Sequence, residues 1–299
     1  MTTRRRILQT LAALPALTLG ADAAAGNPIL EAMRRIKPVF RTKTPTEPGD
    51  WLWSHTEPGQ SYAQFRELVP VRAVDQYSTL RIVPIGPLTN GQTTVFEIVQ
   101  DFLKPFFGLE LVVDAPVPLQ AIPASAQRFR ADLGSKQLLT PYLLQTVLGA
   151  RRKASDAAVL GLTAIDLWPS AGWNFVFGQG SLTDRVGVWS MARNGDAERP
   201  GLRDLCALRT VMTATHETGH MFGIRHCTAY QCGMNGSNSS EERDRQPLEF
   251  CPECQAKLWW TCRLDPLARS RAIEAVAARH HFARLAGNFH AQSTALAGR

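Results

Sequence analysis

The chain has 299 residues, 44% of them hydrophobic and 20% charged, which is the make-up of a globular protein with one large domain or two small ones. Its net charge of +7 drops to +5 once Arg4, Arg5, Arg6 and Asp22 near the N-terminus are set aside. That excess is too small to argue for nucleic-acid binding without a clustered basic patch, and the short run Arg151-Arg152-Lys153 reads instead as a solvated helix end.

The chain opens with Thr3-Arg4-Arg5-Arg6-Ile7-Leu8-Gln9, then an apolar stretch to about Leu19, then Ala21-Asp22-Ala23-Ala24-Ala25-Gly26. A basic start, a short apolar core and small residues predict a signal peptide over residues 1–25. The paired arginines point to the twin-arginine route, hence to export machinery as a partner and a periplasmic location. A basic tail on a cytoplasmic protein is the alternative. The apolar run is shorter than the ~20 residues of a membrane span, and no other stretch qualifies as one.

Residues 26–78 are rich in Pro and Trp without clear periodicity, and are expected to form an N-terminal extension wrapping a domain over 79–263. Within that domain, strands are expected at Leu80–Ile85, Leu109–Val113, Ala157–Leu167, Trp173–Phe177 and Val186–Met191. Helical spacing covers Thr93–Phe107, Gln137–Leu148 and the long segment Leu202–Phe222. This order predicts an α+β domain with a mixed, twisted sheet packed against the last helix. Asp265-Pro266 is a helix start, with a helix expected to about Ala286 before Gly287 and a tail to residue 299. His280 and His281 on that helix, and His55 near the start, read as surface residues.

The chemistry concentrates in His216-Glu217-Thr218-Gly219-His220-Met221-Phe222-Gly223-Ile224-Arg225-His226, which has the spacing HExxHxxGxxH. On a helix His216 and His220 lie one turn apart on one face, so both can reach one ion at roughly 2.0–2.1 Å. Glu217 is rotated by about 100° and sits beside the ion, where a general base belongs. A continuing helix would carry His226 roughly 15 Å away, so the chain must turn back at Gly223. Three neutral imidazoles leave a fourth position open to water, whose pKa zinc lowers to ~7. A helix with two ordinary histidines and an acid is the plainer reading, and Gly223 with His226 argues against it. The reaction that suits this set is hydrolysis of a peptide or similar amide bond.

Of the six cysteines, Cys227-x4-Cys232 and Cys251-x2-Cys254 form two close pairs with zinc-ligand spacing. A closed, structural zinc knuckle of four cysteines is expected beside the catalytic loop. Two disulfides are the competing reading, which export would favour. Cys206 reads as a buried apolar residue, and Cys262 as the same or a mildly exposed thiol. Met234, eight residues after His226, reads as a packing residue.

The stretch His216 to Leu258 resembles the archaemetzincins, in which HExxHxxGxxHC is followed by a second Cys, a Met two residues later and a CxxC. Trp173–Asp184, Gly236–Arg245 and, more weakly, Asp50-Trp51-Leu52 are similar too, so the likeness covers most of residues 50–260. The resemblance implies a metzincin-like zincin fold with the four-cysteine knuckle and C-terminal helices. It implies catalytic zinc on His216, His220 and His226, and Glu217 as base. It implies Met234 as a Met-turn beneath the histidines and a structural zinc on Cys227, Cys232, Cys251 and Cys254, two zinc ions in all. It also implies that the 173–191 region offers a sheet edge to a peptide. The family's activity is weak and poorly defined, and most members are intracellular; the leader and the segment after about Arg263 have no counterpart.

The expected function is therefore a zinc-dependent metallopeptidase acting on peptides or proteins, with endo- and aminopeptidase-like exo-cleavage both open. A non-catalytic zinc protein that binds peptides or partners is the alternative, and Glu217 favours the enzyme. Glu241, Glu242, Asp244, Glu249 and Glu253 around the knuckle disfavour nucleic acid.

Overall fold

The computed structural model describes residues 27–43, 46–68, 77–132 and 134–298. The expected signal peptide lies outside them. The segment before the domain is not without periodicity: it holds α1 (Pro28–Ile36), α2 (Trp51–Ser54) and α3 (Tyr62–Glu67). Asn27 accepts the Ile29 amide to start α1, and Ser61 with Gln64 forms a capping box on α3. These helices are too short for their few apolar positions to stand out in sequence. Ala32, Ile36, Tyr62 and Phe65 are nevertheless buried.

The domain then runs β1 (Thr79–Ile85), α4 (Asn90–Phe107), β2 (Glu110–Val113), β3 (Gln127–Arg130), β4 (Ser135–Leu139) and α5 (Thr140–Tyr142), which widens into a π-helical turn over Leu143–Leu148. There follow β5 (Asp156–Thr163), β6 (Asp166–Trp168), β7 (Gly178–Gly180), β8 (Val186–Ser190) and α6 (Pro200–Met221). The chain closes with α7 (Ser240–Asp244), α8 (Pro252–Cys262), α9 (Pro266–Arg279) and α10 (Ala283–Leu296). The main sheet has the order β2-β1-β5-β8-β7. It is parallel except at β7, which pairs antiparallel with β8 and forms one edge. A smaller sheet, β3-β4-β6, stands beside it.

The layered α+β architecture matches the expectation from sequence. Strands β1, β5 and β8 are buried along their whole length, so they read as apolar runs and not as alternation. One face of the sheet packs on α4 and α6 through Phe102, Phe106, Trp189 and Phe222, the other on Leu143 and Leu148. Arg81 in β1 is buried because Asp156 grips it from β5, with Nε donating at 2.8 Å.

Four local expectations need correction. Gln137–Leu139 is the end of strand β4 and not helix, because it pairs in parallel register with Asp166–Trp168 of β6, and the helix starts only at Thr140 with Pro141 in its first turn. The strand expected at Trp173–Phe177 forms later, at Gly178–Gly180, and Val176 makes only an isolated bridge to Leu167. The C-terminal helix breaks at His280–Phe282, where His281 has φ 59°, and α10 folds back on α9 with Gly287 inside it. Burial of Leu285, Phe289 and Leu296 outweighs the helix cost of that glycine. The strand expected at Ala157–Leu167 ends at Thr163, and the chain restarts at Asp166 as β6 in the smaller sheet; strand β3 was not expected at all, since Gln127–Arg130 shows no apolar alternation.

Candidate metal centre and cleft

Helix α6 starts with Pro200 in its first turn and carries His216, Glu217 and His220 in its last two turns. It stops at Phe222. Gly223 then takes φ +81°, a left-handed conformation that an L side chain resists. The Ile224 amide donates back to the Gly219 carbonyl at 3.1 Å, closing the helix end. This reversal brings His226 beside the other two, with ring centroids 4.6, 5.3 and 4.9 Å apart.

Every one of the three imidazoles has an acceptor behind it. Nδ1 of His216 faces the Gly233 carbonyl at 2.8 Å, and Nδ1 of His220 faces the Ile224 carbonyl at 2.7 Å. Nδ1 of His226 lies 2.9 and 3.0 Å from the two Glu57 oxygens. Protonated at Nδ1, each ring presents an unprotonated Nε2 to the centre. The Nε2 atoms of His216 and His220 are 3.0 Å apart, and one ligand atom from each histidine lies within 4.8 Å of the others. Tetrahedral zinc with bonds of roughly 2.0–2.1 Å requires nitrogens about 3.4 Å apart, so the set fits that ion with small adjustment. Burial, then the charge on His226, pushes His216 down to about 3, and burial with its two neighbours holds His220 well below the usual imidazole range. Both rings are thus in the neutral form a metal needs.

Glu217 is buried against β7. Burial pushes its carboxyl up to about 8, against a hydrogen bond from the Gly180 amide that lowers it. That shift belongs to the chain without an ion, and a divalent cation alongside favours the carboxylate. The closeness of β7 explains its glycines. A Cβ on Gly180 would stand 2.6 Å from the Glu217 carbonyl and 3.0 Å from the His220 Cβ, and one on Gly178 would stand 2.7 Å from the Glu217 Cγ.

Cys227, Cys232, Cys251 and Cys254 are all buried with their sulfurs within 4.8 Å of one another. The Sγ atoms of Cys227 and Cys251 are 3.7 Å apart. Four sulfurs around zinc at ~2.3 Å stand about 3.8 Å apart, whereas a disulfide needs ~2.05 Å. The geometry favours the knuckle over two disulfides. Hydrogen bonds from the other three cysteines hold the Cys227 thiol down, while burial pushes Cys232 and Cys251 up. Four buried sulfurs at this spacing could together hold one cation, which would favour their thiolate forms. Cys206 and Cys262 are buried elsewhere. Met234 is fully buried beneath α6, its sulfur 2.6 Å from where a Gly219 Cβ would sit.

A cleft of about 610 Å³ opens over the centre between β7 and α6, lined by His216, Glu217, His220, Trp51, Phe177 and Arg243 among others. A recess of about 310 Å³ adjoins it past Gly180 and His226, bounded by Glu57, Leu182 and Arg225. Sequence reasoning missed Glu57, Trp51 and Gln60. The Trp51 ring meets His226 edge-on at 5.3 Å and stacks on His55 at 3.8 Å, so His55 backs the site without reaching it. Gln60 accepts from the Arg225 amide and donates to the Gly223 carbonyl, strapping the reversal. No spacing links these residues to the histidines; the weak likeness at Asp50-Trp51-Leu52 was the one sign nearby. His280 bonds Asp101 at 2.8 Å on another face.

Comparison with known proteins agrees with this geometry. The profile of Peptidase family M54 matches residues 127–259. Archaemetzincin-2 of Pongo abelii is 33% identical over 286 residues, which covers 84% of this chain and 78% of that protein. The archaemetzincin of Thermococcus kodakarensis is 38% identical over 125 residues, 41% of this chain and 67% of its own. The solved archaemetzincin of Methanopyrus kandleri aligns with a TM-score of 0.49 and 30% identity, over 64% of this chain and 98% of that one. The matched profile, together with a histidine triad at the end of a long helix, defines a zinc metallopeptidase family. Likeness to the animal proteins along most of both chains is specific within that class, and the chain belongs to the archaemetzincins.

Proposed function

We propose that the chain hydrolyses peptide bonds with Glu217 as general base. His216, His220 and His226 would hold catalytic zinc, and Cys227, Cys232, Cys251 and Cys254 a second, structural zinc. When bound at the histidines, zinc supplies Lewis-acid polarisation of the scissile carbonyl and a more acidic water. Glu217 takes the proton of the attacking water and passes it to the leaving amine. The free edge of β7 pairs with the substrate backbone as an added strand, and Met234 supports the histidines from below.

The observation that carries the reading is the buried Glu217 carboxyl, which has no cationic side chain paired with it and stands beside three converging Nε2 atoms in an open cleft. A protein that only bound peptides would have no use for a base there. The test is cleavage of a peptide library by parent and Glu217→Gln, with mass-spectrometric assignment of both new termini. The variant should keep its zinc and lose about 10²–10⁴-fold in rate. Equal cleavage by both refutes the mechanism, and the termini distinguish aminopeptidase-like trimming from internal cuts. Two zinc ions per chain in elemental analysis are expected. The leader further supports export by the twin-arginine route to the periplasm, which fractionation of cells carrying Arg5→Lys/Arg6→Lys would test.

A further inference from the structure

We propose that the Arg243 guanidinium, at the Phe177 end of the cleft, recognises a carboxylate on the substrate, either an Asp or Glu side chain or the peptide's C-terminus. The proposal rests on the peptidase reading and names the substrate class for that cleft.

Arg243 is only 5% exposed. A buried cation normally faces a carboxylate, because desolvation without a partner is costly. Here Nη1 donates to the neutral Asn194 amide oxygen at 2.9 Å, while Nε and Nη2 have no partner. Asp244, next in sequence, is committed to Arg209, which donates to both of its oxygens.

The Nε and Nη2 groups form one edge of the guanidinium, the fork that fits a carboxylate with two parallel bonds. Among the described residues five other arginines use that same edge, Arg34 on Glu31 and Arg130 on Asp132 at the surface and three more in or near the interior. Arg81 grips Asp156, Arg193 grips Asp166 and Arg209 grips Asp244. Arg243 has the fork and lacks the acid. Among the described residues lining the cleft, it is the single Arg or Lys.

Phe177 lies over the guanidinium, 4.1 Å from ring centroid to Cζ, and both free nitrogens are sealed from water. A carboxylate reaches them once that ring turns aside. Phe177 directly precedes β7, so a peptide laid on the β7 edge passes it. The distance sets the position. Asn194, which holds Arg243, also bonds Thr210 on α6, six residues or roughly 9 Å before His216. An extended peptide advances ~3.3 Å per residue, which places the carboxylate about three residues from the cleaved bond.

The test uses the zinc-loaded full chain and matched peptides differing only by Glu against Gln at each position from one to four residues on either side of the cut. A second series carries a free or an amidated C-terminus. The expected result is about tenfold higher kcat/KM for the acid at one position near the third, or for the free C-terminus, with the two series separating the sources. In Arg243→Met that ratio falls to about one, and in Arg243→Lys, which keeps the charge without the fork, it falls in between. Calorimetric binding of the same peptide pairs to Glu217→Gln reads recognition without turnover. Acid peptides binding several-fold tighter there sustain the proposal even if no peptide is cleaved, a failure that would count against the peptidase reading alone. Equal binding and equal cleavage of acid and amide peptides by the parent overturn it. A preference that survives in Arg243→Met overturns it as well.

Discussion

Replacing Glu57 with Ala should loosen metal at the histidines without touching the cysteines. Glu57 lies far from the motif in sequence, yet its two oxygens at 2.9 and 3.0 Å are the acceptors for Nδ1 of His226. Losing them frees the ring to rotate and to place its proton on the nitrogen that should bind metal. Removing a carboxylate behind a ligating histidine costs 10–100-fold in metal affinity. The side chains of His226 and Glu57 are 18% and 25% exposed, so water takes over part of the bond. The expected loss is therefore near the low end, about 10–30-fold or ~1.4–2 kcal/mol. Glu57→Gln keeps one acceptor oxygen and should lose only about threefold. The assay is competition with a graded chelator, counting zinc retained per chain. Zinc at the cysteines, on the proposed reading, would serve as internal standard and should be unmoved. Parental affinity in Glu57→Ala, or a larger loss in Glu57→Gln than in Glu57→Ala, would refute the argument.

Gly180→Ala should push β7 off α6, because the added carbon meets the Glu217 backbone oxygen at 2.6 Å and cannot be relieved by a rotamer change; a loss of about 1–3 kcal/mol is expected in a denaturant melt, with activity falling further than stability. In the metal-free chain Glu217 titrates at about 8 when folded against 4.5 when unfolded, so the folded state holds an extra proton between those values and stability falls as pH rises. His216, at about 3 folded against 6.5 unfolded, acts in the opposite sense, and only about 0.4 kcal/mol of its contribution remains above pH 6.5. Urea melts should therefore show Glu217 alone costing about 2 kcal/mol between pH 6.5 and 8, and Glu217→Gln should remove that slope; an unchanged slope means the carboxyl is not the group responsible. Cys254→Ser should yield a chain that loses one zinc and melts without cooperativity, as structural zinc binding is itself folding free energy; a variant that retains two zinc ions and a sharp melt would show that the cysteines do not form a metal site.

The parts of this molecule legible in sequence are those whose chemistry is local. HExxH needs only one helix turn, and Gly223 announces a reversal because so few residues tolerate positive φ. The two cysteine pairs likewise carry their spacing with them. The buried strands β1, β5 and β8 were legible from length and apolar content. What escaped was set by tertiary contact. β7 is two glycines around Gln179, a sequence with poor strand propensity; it is strand because it pairs antiparallel with β8, and glycine because α6 leaves no room for a Cβ. The turn at His281 follows from α10 packing back on α9, which no local residue dictates. Glu57 was invisible because the bond that matters runs across 169 residues to His226, and Trp51 showed only as part of a weak likeness with no role attached.

The two cysteine and histidine clusters are mechanically one unit, and the reason is the loop Cys232-Gly233-Met234. Cys232 supplies a sulfur to one cluster. The Gly233 carbonyl orients His216 in the other, while its amide donates to the Glu249 carbonyl at 2.8 Å. The Met234 carbonyl accepts from Cys227, the residue that directly follows His226, at 2.7 Å. A Cβ on Gly233 would stand 2.4 Å from the Leu248 carbonyl, so the loop has no slack against the chain that leads to Cys251. A metal at the cysteines would thus fix the position of the acceptor that orients His216. On the proposed two-zinc reading, emptying the cysteine site should weaken the histidine site too, whereas emptying the histidine site should leave the cysteine site intact, because among the described residues no cysteine side chain bonds a histidine.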